Sequence, residues 1–100
     1  MEVSFNQAES RFEVQLAGAS EPAVLDVRKT PDSWTLRHTG VPSSHSGRGV
    51  GGALVKAALS AAREAGVLVK PVCPFTAAYI KRHPEELDLV HPEWLHAVER

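Results

Sequence analysis

Two short stretches of the chain concentrate the residue types that do chemistry. Residues 45–52, HSGRGVGG, hold four of the seven glycines and stand directly ahead of the alanine-rich run ALVKAALSAAREAG. Glycines this dense at the start of a helical run leave backbone N–H groups open. The helix dipole adds about half a positive charge there, which suits phosphate oxygens without any lysine. Arg48 brings a full positive charge into the same loop. The second stretch, VCPF, carries the sole cysteine, Cys73, immediately before Pro74. Proline favours the first helical position. Cys73 is then placed at the positive end of a second helix, where a thiol is acidified below its ordinary value of about 8.5. A lone cysteine also behaves as a small buried apolar residue, and the residues alone leave both readings open.

Other chemistries fit the loop less well. Gly47, Gly49 and Gly52 satisfy G-x-G-x-x-G, but a dinucleotide fold wants its strand immediately before the loop and an acid about 20 residues on. Here VPSSHS intervenes, and the later segment VLVKPVC holds no acid. A Walker-type loop is excluded because Ala53 and Leu54 follow Gly52 where Lys and Ser or Thr are required. A plain flexible link accounts for a pair of glycines better than for four within six residues. His83, His91 and His96 lack compact ligand spacing and two of them precede proline, so no metal site is expected.

The elements that must position these residues are legible from periodicity. RFEVQL alternates Phe12, Val14 and Leu16 against Arg11, Glu13 and Gln15, the pattern of a strand with one buried face. AVLDVRK reads as a second strand. SWTLRHT reads as a third, with Trp34, Leu36 and His38 on one side. The breaker clusters AGASEP and TPDS between them favour a sequential antiparallel meander. From Val50 to Ala65, Lys56, Ser60, Arg63 and Glu64 recur at helical spacing, and Gly66 stops the helix. VLVKPVC reads as a buried strand, and PFTAAYIKR as a helix bounded by Pro74 and Pro84. The echo of HPEELDLV in HPEWLHAV is too short for a solenoid and reads as capped turns with room for a terminal strand. The expected architecture is α/β (α+β): an antiparallel N-terminal meander plus a parallel strand, with two main helices.

Composition sets the outer bounds. A chain of 100 residues, 43% hydrophobic and 23% charged, fits one soluble domain over 1–100 with a tail at about 91–100. Eleven basic against twelve acidic residues, with no basic block, nominate no nucleic-acid partner. A single cysteine and the lack of any leader-like or membrane-length apolar run point to a cytoplasmic protein. Trp34 and Trp94 are candidates for a contact surface.

SGRGVGGALV resembles the pyrophosphate-binding segment of the Gcn5-related N-acetyltransferases: Gln or Arg, two residues, Gly, one residue, then Gly or Ala. More narrowly, HTGVP, GRGVGGALV and VKPVCPFTAAYIKRHPE, in that order, resemble a minimal subgroup with a Cys-Pro-Phe-type segment, over about Arg11 to Val90. The resemblance implies a GNAT-like mixed sheet and acetyl-CoA as co-substrate. Its pyrophosphate would lie on Ser46, Gly47, Arg48, Gly49, Val50, Gly51, Gly52 and Ala53, and its pantetheine arm beside Val41. Gly49 and Gly51 fall on the two small positions, while Ser46 stands where the leading Gln or Arg belongs. Cys73 would face the thioester as an acyl carrier or a wall. Tyr79 matches the tyrosine that protonates the departing CoA thiolate, though it also stands at i, i+4 from Phe75, the spacing of a core pair. His38 is a candidate base or a structural histidine. Related members read His-Thr-Glu-Val where this chain reads His38-Thr39-Gly40-Val41, so the usual glutamate base is missing.

The reading is an acetyl-CoA-dependent N-acetyltransferase acting on an amine, either a protein lysine or a small amine. The alternative is a non-catalytic acyl-CoA-binding or interaction module. Three charge-assisted hydrogen bonds give about 5–9 kcal/mol gross, and association consumes at least about 4 kcal/mol, so the loop needs a further groove to reach micromolar affinity.

Overall fold

The computed structural model describes residues 2–99. Five strands form one sheet in chain order: β1 (Ser4–Asn6), β2 (Arg11–Val14), β3 (Ala23–Lys29), β4 (Ser33–Gly40) and β5 (Leu68–Pro71). The first four pair antiparallel, and β5 joins β4 in parallel. Helix α1 (Val50–Ala65) connects β4 to β5, and α2 (Pro74–Arg82) follows β5. The fold is the expected mixed α/β arrangement with two main helices.

Both helices begin and end where local chemistry dictates. α1 buries Val50, Leu54, Val55, Ala58, Leu59 and Ala62, a stripe at three- and four-residue spacing. It ends at Gly66, whose φ of 71° lets its N–H reach the carbonyls of Ala62 and Arg63. α2 starts at Pro74 and stops ahead of Pro84, which disfavours helical backbone in His83. The apolar face of the sheet aligns Phe5, Phe12 and Leu25 in register across β1–β3, and Val27 with Leu36 across β3–β4. At the rim the Lys29 ammonium lies 3.6 Å from the Phe5 ring centroid and 4.2 Å from that of Trp34, closing this end of the core with a cation–π contact.

One irregularity redirects the site. Val27 pairs with Leu36 and Asp26 with His38, so Arg37 is an extra residue on β4. A bulge of this kind reverses the alternation beyond it. Trp34 and Leu36 are buried, but past Arg37 it is Thr39, opposite Leu25, that continues their face. His38 turns to the other side and is exposed. The expected alignment of His38 with Trp34 and Leu36 is therefore incorrect.

The strand boundaries differ in smaller ways. β1 is too short for its alternation to show in sequence, and β2 ends two residues before Leu16. β5 ends at Pro71, after which the Val72 N–H turns back to the Lys70 carbonyl at 2.9 Å. Cys73 thereby leaves the strand and becomes the residue that caps α2. The tail forms two 3-10 helices, Pro84–Leu89 and Pro92–Ala97, rather than a terminal strand. A single bridge joins Val90 to Val69. Arg63 on α1 holds the first of these turns through a fork onto Asp88, at 2.7 and 3.1 Å, and a bond to Glu86 at 2.9 Å.

Candidate functional site

The glycine loop, the end of β4 and one face of α2 enclose a cavity of about 530 Å3. The loop is built to leave amides open. A 3-10 turn, Ser43–His45, brings the chain off β4, and His45 Nε2 bonds the Ala17 carbonyl at 3.1 Å, tying the turn to the β2–β3 connection. Gly47 and Gly49 have φ of 78° and 76°, in the left-handed region that side-chain-bearing residues rarely adopt. Gly49 caps α1 without any side-chain hydrogen bond, and no acid stands in the first turn. The first intrahelical bond runs from Ala53 N–H to Gly49 O at 3.0 Å. The amides of Val50, Gly51 and Gly52 precede it and have no intrahelical partner.

Of the residues the sequence assigned to the loop, Val41, Ser46, Gly47, Gly49, Val50, Gly51 and Gly52 line the cavity. Ser46 donates its hydroxyl to the Ser43 carbonyl at 3.1 Å, so the side chain at the leading position holds the turn. Arg48 is exposed and outside the lining. Ala53 is one residue too deep in the helix, its N–H already engaged.

Two glycines face α2. A β-carbon on Gly52 would meet Tyr79 Cε2 at an ordinary 3.7 Å, whereas one on Gly51 would come within 2.6 Å of Phe75 Cζ. The missing side chain at 51 thus makes room for a ring of the protein itself. Tyr79 is buried and stacks on His83 with centroids 4.0 Å apart and planes 13° from parallel. His83 Nδ1 donates to the Tyr79 carbonyl at 2.7 Å. Burial raises the phenol pKa, and the charges of Glu86 and Glu85 push the same way, so the hydroxyl keeps its proton through and above neutral pH. Phe75 is exposed, so the two aromatics are successive wall positions and not a core pair. Arg82 completes the wall and makes no side-chain hydrogen bond or ion pair among the described residues.

Cys73 is 5% exposed and lies behind Thr39, whose Oγ1 is 3.6 Å from Sγ. Its N–H donates to the Leu36 carbonyl at 2.9 Å, and its own carbonyl accepts the Thr76 hydroxyl at 2.8 Å. Burial pushes the thiol pKa up, but the amides of Thr76 and Phe75 and the hydroxyl of Thr39 outweigh it, and the value falls below the ordinary one. Removing that hydroxyl in Thr39→Val raises the thiol pKa, a shift readable in the pH dependence of ultraviolet thiolate absorbance. An unmoved titration midpoint would show that the backbone amides of Thr76, Phe75 and Thr39 acidify the sulfur without the hydroxyl.

His38 stands apart. It lines a larger groove of about 920 Å3 together with Asp26 and Arg37, which includes neither the glycine loop nor Cys73 or Tyr79. Thr39, Phe75, Arg82 and His83 belong to the cavity and went unassigned in the sequence. For the α2 residues the signal was present: 75, 79 and 82 share one helical face, and His83 follows as the residue that ends the helix. Among the described residues no group of three or more His, Cys, Asp or Glu is arranged to hold a metal ion, and no helix is long and apolar enough to cross a membrane.

An uncapped helix start thus opens onto a cavity at the end of a mixed sheet, with a shielded, acidified thiol behind Thr39. The sequence model of the GCN5-related N-acetyl-transferases matches residues 11–89, and the chain belongs to that family. No curated protein matches the sequence.

Proposed function

We propose that the protein transfers an acetyl group from acetyl-CoA to an amine. The observation that carries this reading is the row of open amides at Val50, Gly51 and Gly52, uncapped and unopposed by any acid in the first turn, in a chain of an acetyltransferase family. Those amides hold the diphosphate, with the dipole of a 16-residue helix behind them. Arg82 and Arg48 supply positive charge at the rim. Val41 and Thr39 guide the pantetheine arm along β4, where β5 has already stopped pairing, at Leu36 and Pro71. The thioester then lies against Thr39 and Cys73. The amine nitrogen attacks the thioester carbonyl, the carbon–sulfur bond breaks, and the Tyr79 hydroxyl gives its proton to the leaving sulfur. The amine's own proton leaves to water.

Cys73, buried behind Thr39 and not itself among the lining residues, backs the wall of the acyl site, or carries the acetyl group briefly as a thioester of its own before the amine takes it. His38 is not proposed as the base, because the bulge at Arg37 directs it to the other groove.

A second reading is favoured by one specific feature: among the described residues no carboxylate lines the cavity, and Gly40 occupies the place of the subgroup's glutamate. On this reading the domain binds acyl-CoA without turning it over. One experiment separates the two. Both expect CoA to raise the melting temperature, by about 2.7 kcal/mol of added stability at a hundredfold excess over Kd. Only the enzyme releases CoA thiol from acetyl-CoA faster with an amine present than without. Thiol release indifferent to the amine would leave the binding module. Equal rates in wild type and Cys73→Ala would remove the covalent route.

A further inference from the structure

Phe75 stands between the glycine loop and the thiol, and acetyl transfer as set out above gives it no role. It lies two residues beyond Cys73, in the first turn of α2. It is 41% exposed; among the described residues the other exposed large apolar side chain is Val72, at 43%. A ring this exposed adds little to the core, yet it is closely seated. Its Cζ, Cε1 and Cε2 are the three atoms nearest to the β-position of Gly51, at 2.6, 3.0 and 3.4 Å. Helix α1 gives up the side chain of its second residue, and the phenyl ring takes that space. The ring is thus a wall of the cavity that also holds Thr39, whose hydroxyl touches the Cys73 sulfur.

We infer that Phe75 sets the acyl-chain length that the site accepts, limiting it to acetyl. This rests on the proposed function, since it needs the thioester to lie beside Thr39 and Cys73. An acetyl group carries only a methyl beyond its carbonyl. Each added methylene needs apolar room on the side away from the sulfur. Thr39 and the Phe75 ring both line the cavity, and a chain lengthened beyond acetyl would have to pass the ring. A wall that forbids one methylene discriminates by about 10- to 200-fold. Exposure of the ring leaves the rest of the fold indifferent to its removal, so the substitution changes the pocket and little else.

The test is calorimetric titration of CoA, acetyl-CoA and butyryl-CoA into wild type, Phe75→Ala, Phe75→Leu and Val72→Ala, each first checked by thermal melting. Wild type is expected to bind butyryl-CoA at least about 10-fold more weakly than acetyl-CoA. Phe75→Ala brings the two within about threefold, Phe75→Leu falls between, and Val72→Ala keeps the wild-type ratio. The inference is overturned by a wild type that binds both acyl chains equally, or by Phe75→Ala and Phe75→Leu variants that keep the wild-type ratio. CoA failing to bind wild type at all defeats the acyl-CoA reading and this inference with it, whereas CoA bound with an unaltered acyl ratio defeats the selector alone.

Discussion

Gly51→Glu is expected to abolish the CoA-induced rise in melting temperature while leaving the ligand-free protein as stable as wild type. The two halves of that result have separate causes. In the free protein the new side chain must displace the Phe75 ring, whose Cζ lies 2.6 Å from the new β-carbon. That ring is already 41% exposed and its contacting atoms are at its far end, so it swings outward at about 0.5–1.5 kcal/mol. Against this, replacing a glycine inside a helix gains up to about 1 kcal/mol. A carboxylate in the first turn adds about 0.3–1 kcal/mol through the dipole. The terms nearly cancel. In the bound state nothing compensates: the carboxylate satisfies the amides that the diphosphate needs and repels its charge. Losing two charge-assisted hydrogen bonds at about 1.5–3 kcal/mol each weakens binding by at least about a hundredfold. A CoA shift that survives in Gly51→Glu would place the ligand somewhere other than this corner.

The same glycine shows how far sequence reaches. Four glycines around the start of a helix told of a backbone left bare, and Gly47 and Gly49 do adopt the left-handed conformation that such loops require. Nothing in the chain shows that the side chain missing at 51 answers a phenyl ring 24 residues later, because that relation exists only once α1 and α2 have met. Helix ends were legible to the residue because proline and glycine act locally: Pro74 and Pro84 bracket α2, and Gly66 closes α1. The strand carrying the site was legible as a strand but not in its facing. SWTLRHT alternates without a break, and only the partner strand decides that Arg37 is the extra residue. Thr39 was therefore hidden as the neighbour of the thiol, and His38 was drawn to a place it does not occupy. Cys73 was read as the end of a strand because VLVKPVC is apolar but for Lys70. The lost amide at Pro71 ends β5 early and turns the cysteine into a cap.

Leu36→Ala is expected to cost about 2–5 kcal/mol of stability, the largest effect on folding among these substitutions. Leu36 is fully buried and is the last residue of β4 before the bulge. It pairs with Val27 on one side and Pro71 on the other, and its carbonyl receives the Cys73 N–H at 2.9 Å. The neighbours cannot collapse into the gap, because β3 and β5 are fixed by their own ladders. For a domain of this size, each kcal/mol lowers the melting temperature by about 4–8 °C, out of a total stability of about 5–15 kcal/mol. The truncated residue is the one whose carbonyl seats the Cys73 N–H, three positions before Thr39 on the same strand, so the variant also separates scaffold from chemistry. The loop amides of α1 make no contact with Leu36 through any hydrogen bond, so saturating CoA should still raise the variant's melting temperature by an increment close to wild type. Thiol release should fall further than binding does, because the Thr39–Cys73 juncture has lost its support. Equilibrium unfolding in urea, with and without CoA, reads both terms. A loss below about 1 kcal/mol would mean that the packing beneath the bulge is loose, and that Thr39 is held against the sulfur by the α2 cap alone.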